Sequence, residues 1–254
     1  MKFVQQPEEI LKGLGIFSPD DIDLDLVAFS LNAHVKRKRL SDCEGHIIGG
    51  RDKAIITINS DASQERQRFS LGHEIGHWIN DRGNNLTYRC DANDMRQGSF
   101  VKGKPRQNKE VRANKFSAEL LMPNYLFMKC LVDIQITGER VSLLASVFNV
   151  SRTSAAIRLV EVCNLPCMFI CWKGNGTRRW FYKNNIVPEC IWPHRSIPHP
   201  KEGFKLSNEI EVDADKWIDG DDAESHVVIE SVFFDGYDFF SLIWWRDEGQ
   251  LLDI

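Results

Sequence analysis

Apolar positions follow two rhythms along this chain. Up to about Asn164 they mostly recur every three or four residues, as in helices. Beyond it they come in short aromatic and β-branched blocks between turn residues, as in strands. Residues 7–14 predict a short helix entered through Pro7. "SPDDIDLDLVAFSLNA" predicts a second helix, capped by Ser18 or Asp20, with Ile22, Leu26, Phe29 and Ala33 on one face. "HVKRKRL" (34–40) predicts an edge strand whose charges discourage aggregation. "HIIGG" and "KAIITINS" predict two strands joined by a Gly-Gly-Arg-Asp turn. A helical period returns from Ser63 to about Asn80, and Asp81–Asn108 is polar and without period, a long loop. "KEVRANKFSAELLMP" resumes helix, with Val111, Phe116, Leu120 and Leu121 apolar and Pro123 as its stop. "NYLFMKCLV", "RVSLLASVF" and "SRTSAAIRLVEV" predict further helices. "CMFICWKGNGTRRWFY", "HVVIESVFF" and "FFSLIWW" predict strands. The pattern therefore predicts an α+β chain: a helix-rich domain with a small sheet over 1–164, then a smaller β-rich domain over 165–254.

Composition narrows the class. Of 254 residues 43% are apolar and 27% charged, a globular balance with no apolar run long enough for a membrane span. The opening "MKFVQQPEEI" lacks a secretory core and cleavage site, so the expected location is the cytoplasm. The seven cysteines are odd in number and irregularly spaced, which suits reduced thiols. Cys163, Cys167 and Cys171 run through Pro166 into an apolar strand with no CxxC pair, so buried structural thiols are expected there. From Asn208 to Ile254 acids outnumber bases 14 to 2, although the whole chain carries only −4. A mildly basic front thus precedes an acidic tail, too diffuse a basic surface to imply nucleic acid. Six of the seven tryptophans fall after residue 164, where aromatic content mostly means core.

The candidate chemistry lies in "LGHEIGHWIN" (71–80). Residues four apart on a helix differ by about 40° around its axis, so His73 and His77 can face one ion. Zinc takes imidazole nitrogens at about 2.0–2.1 Å. Glu74 sits about 100° from His73, beside that ion instead of on it. A carboxylate there can act as general base toward a water that zinc acidifies to a pKa of about 7. The motif arises by chance in about one chain in a hundred of this composition. Its setting of Phe69, Leu71, Ile75, Trp78 and Ile79 is an odd place for two histidines and a glutamate without a role. Gly76 weakens the helix and leaves room for a neighbouring chain or substrate. A third ligand must come from elsewhere. His46, Asp91, Asp94, Glu110 and Glu119 are candidates, and Glu110 is attractive because it begins the next long helix.

"RQRFSLGHEIGHWIND", followed by "EVRANKFSAELLMP" and preceded by "AIITINS", resembles the ImmA/IrrE family of metallo-endopeptidases over about residues 22–163. In that family the glutamate four positions before the asparagine of the second motif completes the site, and Asn114 makes that residue Glu110. The resemblance implies a zincin-like, gluzincin-type domain with His73, His77 and Glu110 on Zn2+ (Mn2+ being the alternative ion) and Glu74 as catalytic base. Glu119 is then a structural residue. The implied partner is a protein substrate, a helix-turn-helix repressor of a phage, mobile element or stress response. The competing readings are a zincin scaffold that binds without cutting, and a DNA-binding regulator of a phage, mobile-element or toxin–antitoxin system. Peptidases of this kind bind substrate as an added strand, for which "AIITINS" (54–60) is the candidate edge. His46, Arg66, Arg68 and Tyr88 are candidate oxyanion donors.

One segment, 139–163, resembles a DNA-binding helix-turn-helix. Ala145 supplies the small residue, Asn149 the left-handed turn and Ser151 the second cap. Its second helix offers only Arg152 and Arg158, opposed by Glu161, so packing is the expected role and direct nucleic-acid binding is not.

Overall fold

The computed structural model describes residues 5–81, 86–91, 105–131, 136–197, 207–220, 223, 226–236, 238–246 and 248–251. In chain order the elements are α1 (Pro7–Gly13), α2 (Leu24–Ser30), β1 (Ala33–Lys38), β2 (Gly45–Gly49), β3 (Ala54–Asn59), α3 (Gln64–Asn80), β4 (Leu86–Cys90), α4 (Pro105–Leu121), α5 (Asn124–Phe127), α6 (Gly138–Phe148) and α7 (Arg152–Val162). Then come β5 (Cys167–Trp172), β6 (Arg178–Lys183), β7 (Trp192–Pro193), β8 (Ser207–Asp213), β9 (Ile218–Asp219), β10 (Val227–Asp235) and β11 (Asp238–Trp244). The class is α+β, with helices gathered early and strands late. Two compact units form: Met1–Val132 with Ala145–Ser154, and Asp133–Leu144 with Ala155–Ile254.

The first unit carries a sheet of order β1-β3-β2-β4, in which β1 runs parallel to β3 and the other pairs are antiparallel. The glycine-rich turn closes between β2 and β3 through Gly50 N–H to Lys53 O at 2.9 Å. The basic strand β1 lies at an edge, as its charges predict. The "AIITINS" strand does not: β3 is hydrogen-bonded on both sides, so it offers no edge to a substrate. Strand order is set by distant partners, which local pattern does not encode. The other edge among the described residues is β4, inside the stretch expected to be loop. Its Leu86 and Cys90 are buried and its Thr87 and Arg89 exposed, a half-buried alternation too short to stand out between polar neighbours. Most of the remaining expected loop lies outside the described residues.

The helix expected from Ser18 begins later. Asp23 Oδ1 accepts the N–H groups of Asp25 and Leu26 at 2.9 and 3.2 Å, so α2 starts at Leu24. That shift turns Leu24, Val27 and Ala28 inward and leaves Leu26 and Phe29 57% and 67% exposed, contrary to the expected face.

Helix α3 begins at the Ser63 cap, whose Oγ accepts Arg66 N–H at 3.3 Å. Every residue from Phe69 to Trp78 is buried. One side packs on β2 and β3, and the other receives α4. The approach of α4 depends on glycine: a Cβ at Gly72 would lie 2.5 Å from Ser117 Oγ, and one at Gly76 3.1 Å from Ala113 Cα. Ser117 Oγ seals the crossing by donating to Phe69 O at 2.8 Å. Helix α4 starts at Pro105, four residues before the expected Lys109, with proline in the first helical position.

In the second unit β6-β5-β11-β10-β8 form an antiparallel sheet, while β7 and β9 pair separately. Trp172, Trp217 and Trp245 are fully buried in its core with Met168, Ile170 and Ile243. Trp172 Nε1 donates to Ser241 Oγ at 3.1 Å and Trp217 Nε1 to Glu230 Oε2 at 2.8 Å. Trp192 is the exception to the aromatic-core expectation, at 51% exposure.

Replacing Gly76 with alanine tests the helix crossing. Alanine favours an isolated helix by up to about 1 kcal/mol. Overpacking against backbone costs about 1–3 kcal/mol, and the Ala113 backbone has no rotamer with which to yield. Urea unfolding of Gly76→Ala is expected to show a net loss of about 1–2 kcal/mol; a gain in stability would show that the crossing is loose.

Candidate metal centre

Helix α3 carries His73 and His77 one turn apart, and α4 brings Glu110 against them. His73 Nε2 lies 3.0 Å from His77 Nε2, and each lies 3.1 Å from Glu110 Oε2. Both histidines are fully buried and Glu110 is 6% exposed. An ion bonded at about 2.0–2.1 Å in tetrahedral geometry spaces nitrogen and oxygen ligands about 3.3 Å apart. The observed triangle is a few tenths of an ångström tighter, so the three donors fit one small divalent cation. Glu110 Oε1, also buried, has no hydrogen-bond partner among the described residues, which suits a carboxylate shaped for an ion.

The far sides of both imidazoles are held. Asn114 Oδ1 lies 2.8 Å from His73 Nδ1, and Asp81 Oδ2 lies 3.1 Å from His77 Nδ1. These acceptors favour a proton on Nδ1 and aim the Nε2 lone pairs at the common centre. Asp81 is itself held by Arg112 at 2.9 Å. Burial pushes His73 below its ordinary pKa despite the Glu110 contact. Burial also opposes charge on His77, but the Asp81 and Glu110 carboxylates, with Glu74 nearby, outweigh it and lift the group to about 9. Burial raises Glu110, and its bonds to the two imidazoles override that and hold it at about 2. The ion-free cluster therefore keeps a proton where a cation would sit.

Glu74 is fully buried and directed toward β2, where a Cβ at Gly45 would come within 3.0 Å of its Oε1. Gly45 gives this carboxylate its room. Of the other candidate ligands, Glu119 pairs with Lys115 at 3.7 Å on α4, as a structural residue would. Asp91 is exposed outside the cluster, and Asp94 lies outside the described residues. His46 sits between Gly45 and Ile47 on β2, and strand alternation turns it to the face opposite Glu74. Arg66 pairs with Glu44 at 3.6 Å. Arg68 donates to Ile22 O at 3.3 Å, beside a cavity of about 400 Å³ that it shares with Asp25 and Arg37. Of the four oxyanion candidates Tyr88 reaches the cluster: its ring stacks on His77 with centroids 4.4 Å apart, and its hydroxyl meets the Lys109 ammonium.

Sequence reasoning missed Cys90, whose buried sulfur lies 3.7 Å from His77 Nε2 and 3.9 Å from Glu110 Oε2. No spacing links it to the HExxH helix; only the pairing of β4 with β2 brings it in. Cys163, Cys167 and Cys171 are all buried, as expected. Burial, chiefly, pushes Cys171 up to about 12.

Residues 20–160 match a family model described as the IrrE N-terminal-like domain. Over 138 residues the chain is 34% identical to the radiation response metalloprotease IrrE of Deinococcus radiodurans, covering 52% of this chain and 40% of that protein. Over 115 residues it is 35% identical to the protein of the same name from Deinococcus deserti, covering 45% and 39% respectively. The matched part thus spans about two fifths of those relatives. A Mycobacterium tuberculosis transcriptional regulator shares the fold at a TM-score of 0.53 and 11% identity, over 97% of this chain and 77% of that one.

Two measurements follow from the geometry. His77 must release its proton to bind a cation, whereas Glu110 is already ionised and His73 neutral near neutrality. Apparent metal affinity should therefore rise at least about tenfold per pH unit from neutrality to about pH 9. A flat profile in a chelator competition would show that this proton is not displaced. Asn114→Ala, which unties His73 Nδ1, should weaken metal binding about 10–100-fold in the same competition.

Proposed function

The chain belongs to the ImmA/IrrE family through its IrrE N-terminal-like domain, and from that premise we propose that it is a metal-dependent endopeptidase. The observation that carries the proposal is the buried triangle of His73, His77 and Glu110, with the Glu74 carboxylate buried one residue along the same helix. His73, His77 and Glu110 hold the ion, and their two-nitrogen, one-oxygen set suits zinc, with manganese as the alternative. A bound ion supplies Lewis-acid polarisation of a peptide carbonyl and a water acidified toward neutral pH. Glu74 takes the proton of the attacking water and returns it to the leaving amine nitrogen. Full burial keeps that carboxylate from bulk water, and the missing side chain of Gly45 leaves it room. Tyr88 is the donor best placed for the developing oxyanion.

Substrate enters as an extended segment along β4, the edge strand beside the cluster. The substrate class we propose is a helix-turn-helix repressor, as the resemblance of the two sequence motifs implies. Family membership implies a protein substrate, and among the described residues no helix is long and apolar enough to cross a membrane.

A role for 139–163 in reading DNA has little support. The turn has the expected form: Asn149 has φ +49°, and Ser151 Oγ accepts Ser154 N–H at 3.1 Å. Yet α7 is buried from Ala155 to Val160, and Arg158, 4% exposed, is tied to Glu161 at 2.7 Å. Phosphate recognition would need that guanidinium exposed.

Glu74→Gln keeps the ligand triangle and removes the base. It should bind zinc as the wild type does while cleavage falls about 10²–10⁴-fold; undiminished cleavage would remove Glu74 from the chemistry. For the substrate, induced cells with and without a chelator should differ in one truncated regulatory protein. Binding of an intact partner without any cut in either condition would favour the non-catalytic scaffold.

A further inference from the structure

We infer that Cys90 is a fourth protein ligand of the ion, closing the vertex that an attacking water needs, so that the site as folded is a latent one. The inference rests on the metal reading above and adds a state of that same site. A tetrahedral ion with Zn–S of about 2.3 Å and Zn–N of about 2.0–2.1 Å separates sulfur from nitrogen by about 3.5 Å. Cys90 Sγ lies 3.7 Å from His77 Nε2 and 3.9 Å from Glu110 Oε2, and all four ligand atoms fall within 4.8 Å of one another. Relative to His77 and Glu110 the sulfur stands within a few tenths of an ångström of that spacing, and its distance to the His73 ligand atom is within 4.8 Å.

The strand holds the thiol there. Cys90 ends β4, in register with Gly45 of β2, and its carbonyl accepts Glu44 N–H at 3.1 Å. Tyr88, two residues earlier and so on the same strand face, stacks on His77. The inward face of β4 thus covers the cluster with one aromatic ring and one sulfur. Cys90 is wholly buried and outside any disulfide, and its sulfur is shut off from solvent.

Four protein ligands make a closed, structural-type shell, whereas hydrolysis needs three and an open position. Opening requires the end of β4 to withdraw from the ion. Among the described residues β4 pairs on one side only, with β2, and a substrate strand added to its outer edge would act on the strand that carries the thiol.

X-ray absorption of the zinc-loaded wild-type protein reads the ligand set without a mutation. The expected result is one zinc per chain, with one sulfur at about 2.3 Å and nitrogen or oxygen neighbours at about 2.0–2.1 Å. A shell of nitrogen and oxygen alone would overturn the role of Cys90 and leave the metal centre standing. Failure to bind zinc at all would overturn both. With cobalt in place of zinc, the wild type should show a thiolate charge-transfer band in the near ultraviolet. Cys90→Ser should lose that band, still bind one cobalt, and bind it at least about tenfold more weakly. A band that survives the substitution would assign it to another cysteine and overturn the inference.

Discussion

The structure of the first unit depends on how closely two helices can cross. Gly72 and Gly76 strip one side of α3 to its backbone, and Ala113, Phe116 and Ser117 of α4 occupy the space. Small residues one turn apart on both helices make this possible, because a close-packed interior has no slack for two larger partners. The crossing does more than fill volume. Glu110 lies one turn before Ala113 on α4, and His73 and His77 each follow a glycine of α3. The contact that lets the helices meet is therefore the contact that places the carboxylate on the imidazoles. Fold and site share one geometric condition.

A second constraint is electrostatic. His73, Glu74, His77 and Glu110 are all buried in one small volume, where an uncompensated charge is costly. The arrangement settles this by nesting: Arg112 holds Asp81, Asp81 holds His77, and His77 with His73 holds Glu110. Without an ion the cluster retains a proton on His77. A divalent cation can replace that proton because its charge does the same work with more partners.

Legibility from sequence followed the range of the interactions. The pairing of His73 with His77 is local to one helix, so a spacing of four revealed it. Glu110 needs the crossing of two helices, and spacing alone left it among five candidates until a second motif singled it out. Cys90 needs a sheet register: it enters through β2–β4 pairing, in a stretch whose short alternation reads as loop. The same limit explains the misplaced substrate edge, since nothing within "AIITINS" reveals that β3 has a neighbour on each side. In α2 the error was local. Asp20, Asp23 and Asp25 all lie where a cap could form, and Asp23 captures two backbone N–H groups. That choice rotates the buried face by a few positions.

The depth of the cluster bears on time as well as affinity. His73 and His77 have no contact with solvent, and Tyr88 and Cys90 lie over them. An ion cannot leave by simple dissociation into water. Its departure must wait for a local opening of the surrounding structure, an event with its own free energy and rate. Exchange of an ion held at this centre would thus be clocked by the breathing of the structure around it, and two conditions with equal equilibrium affinity could still differ widely in how long the ion stays.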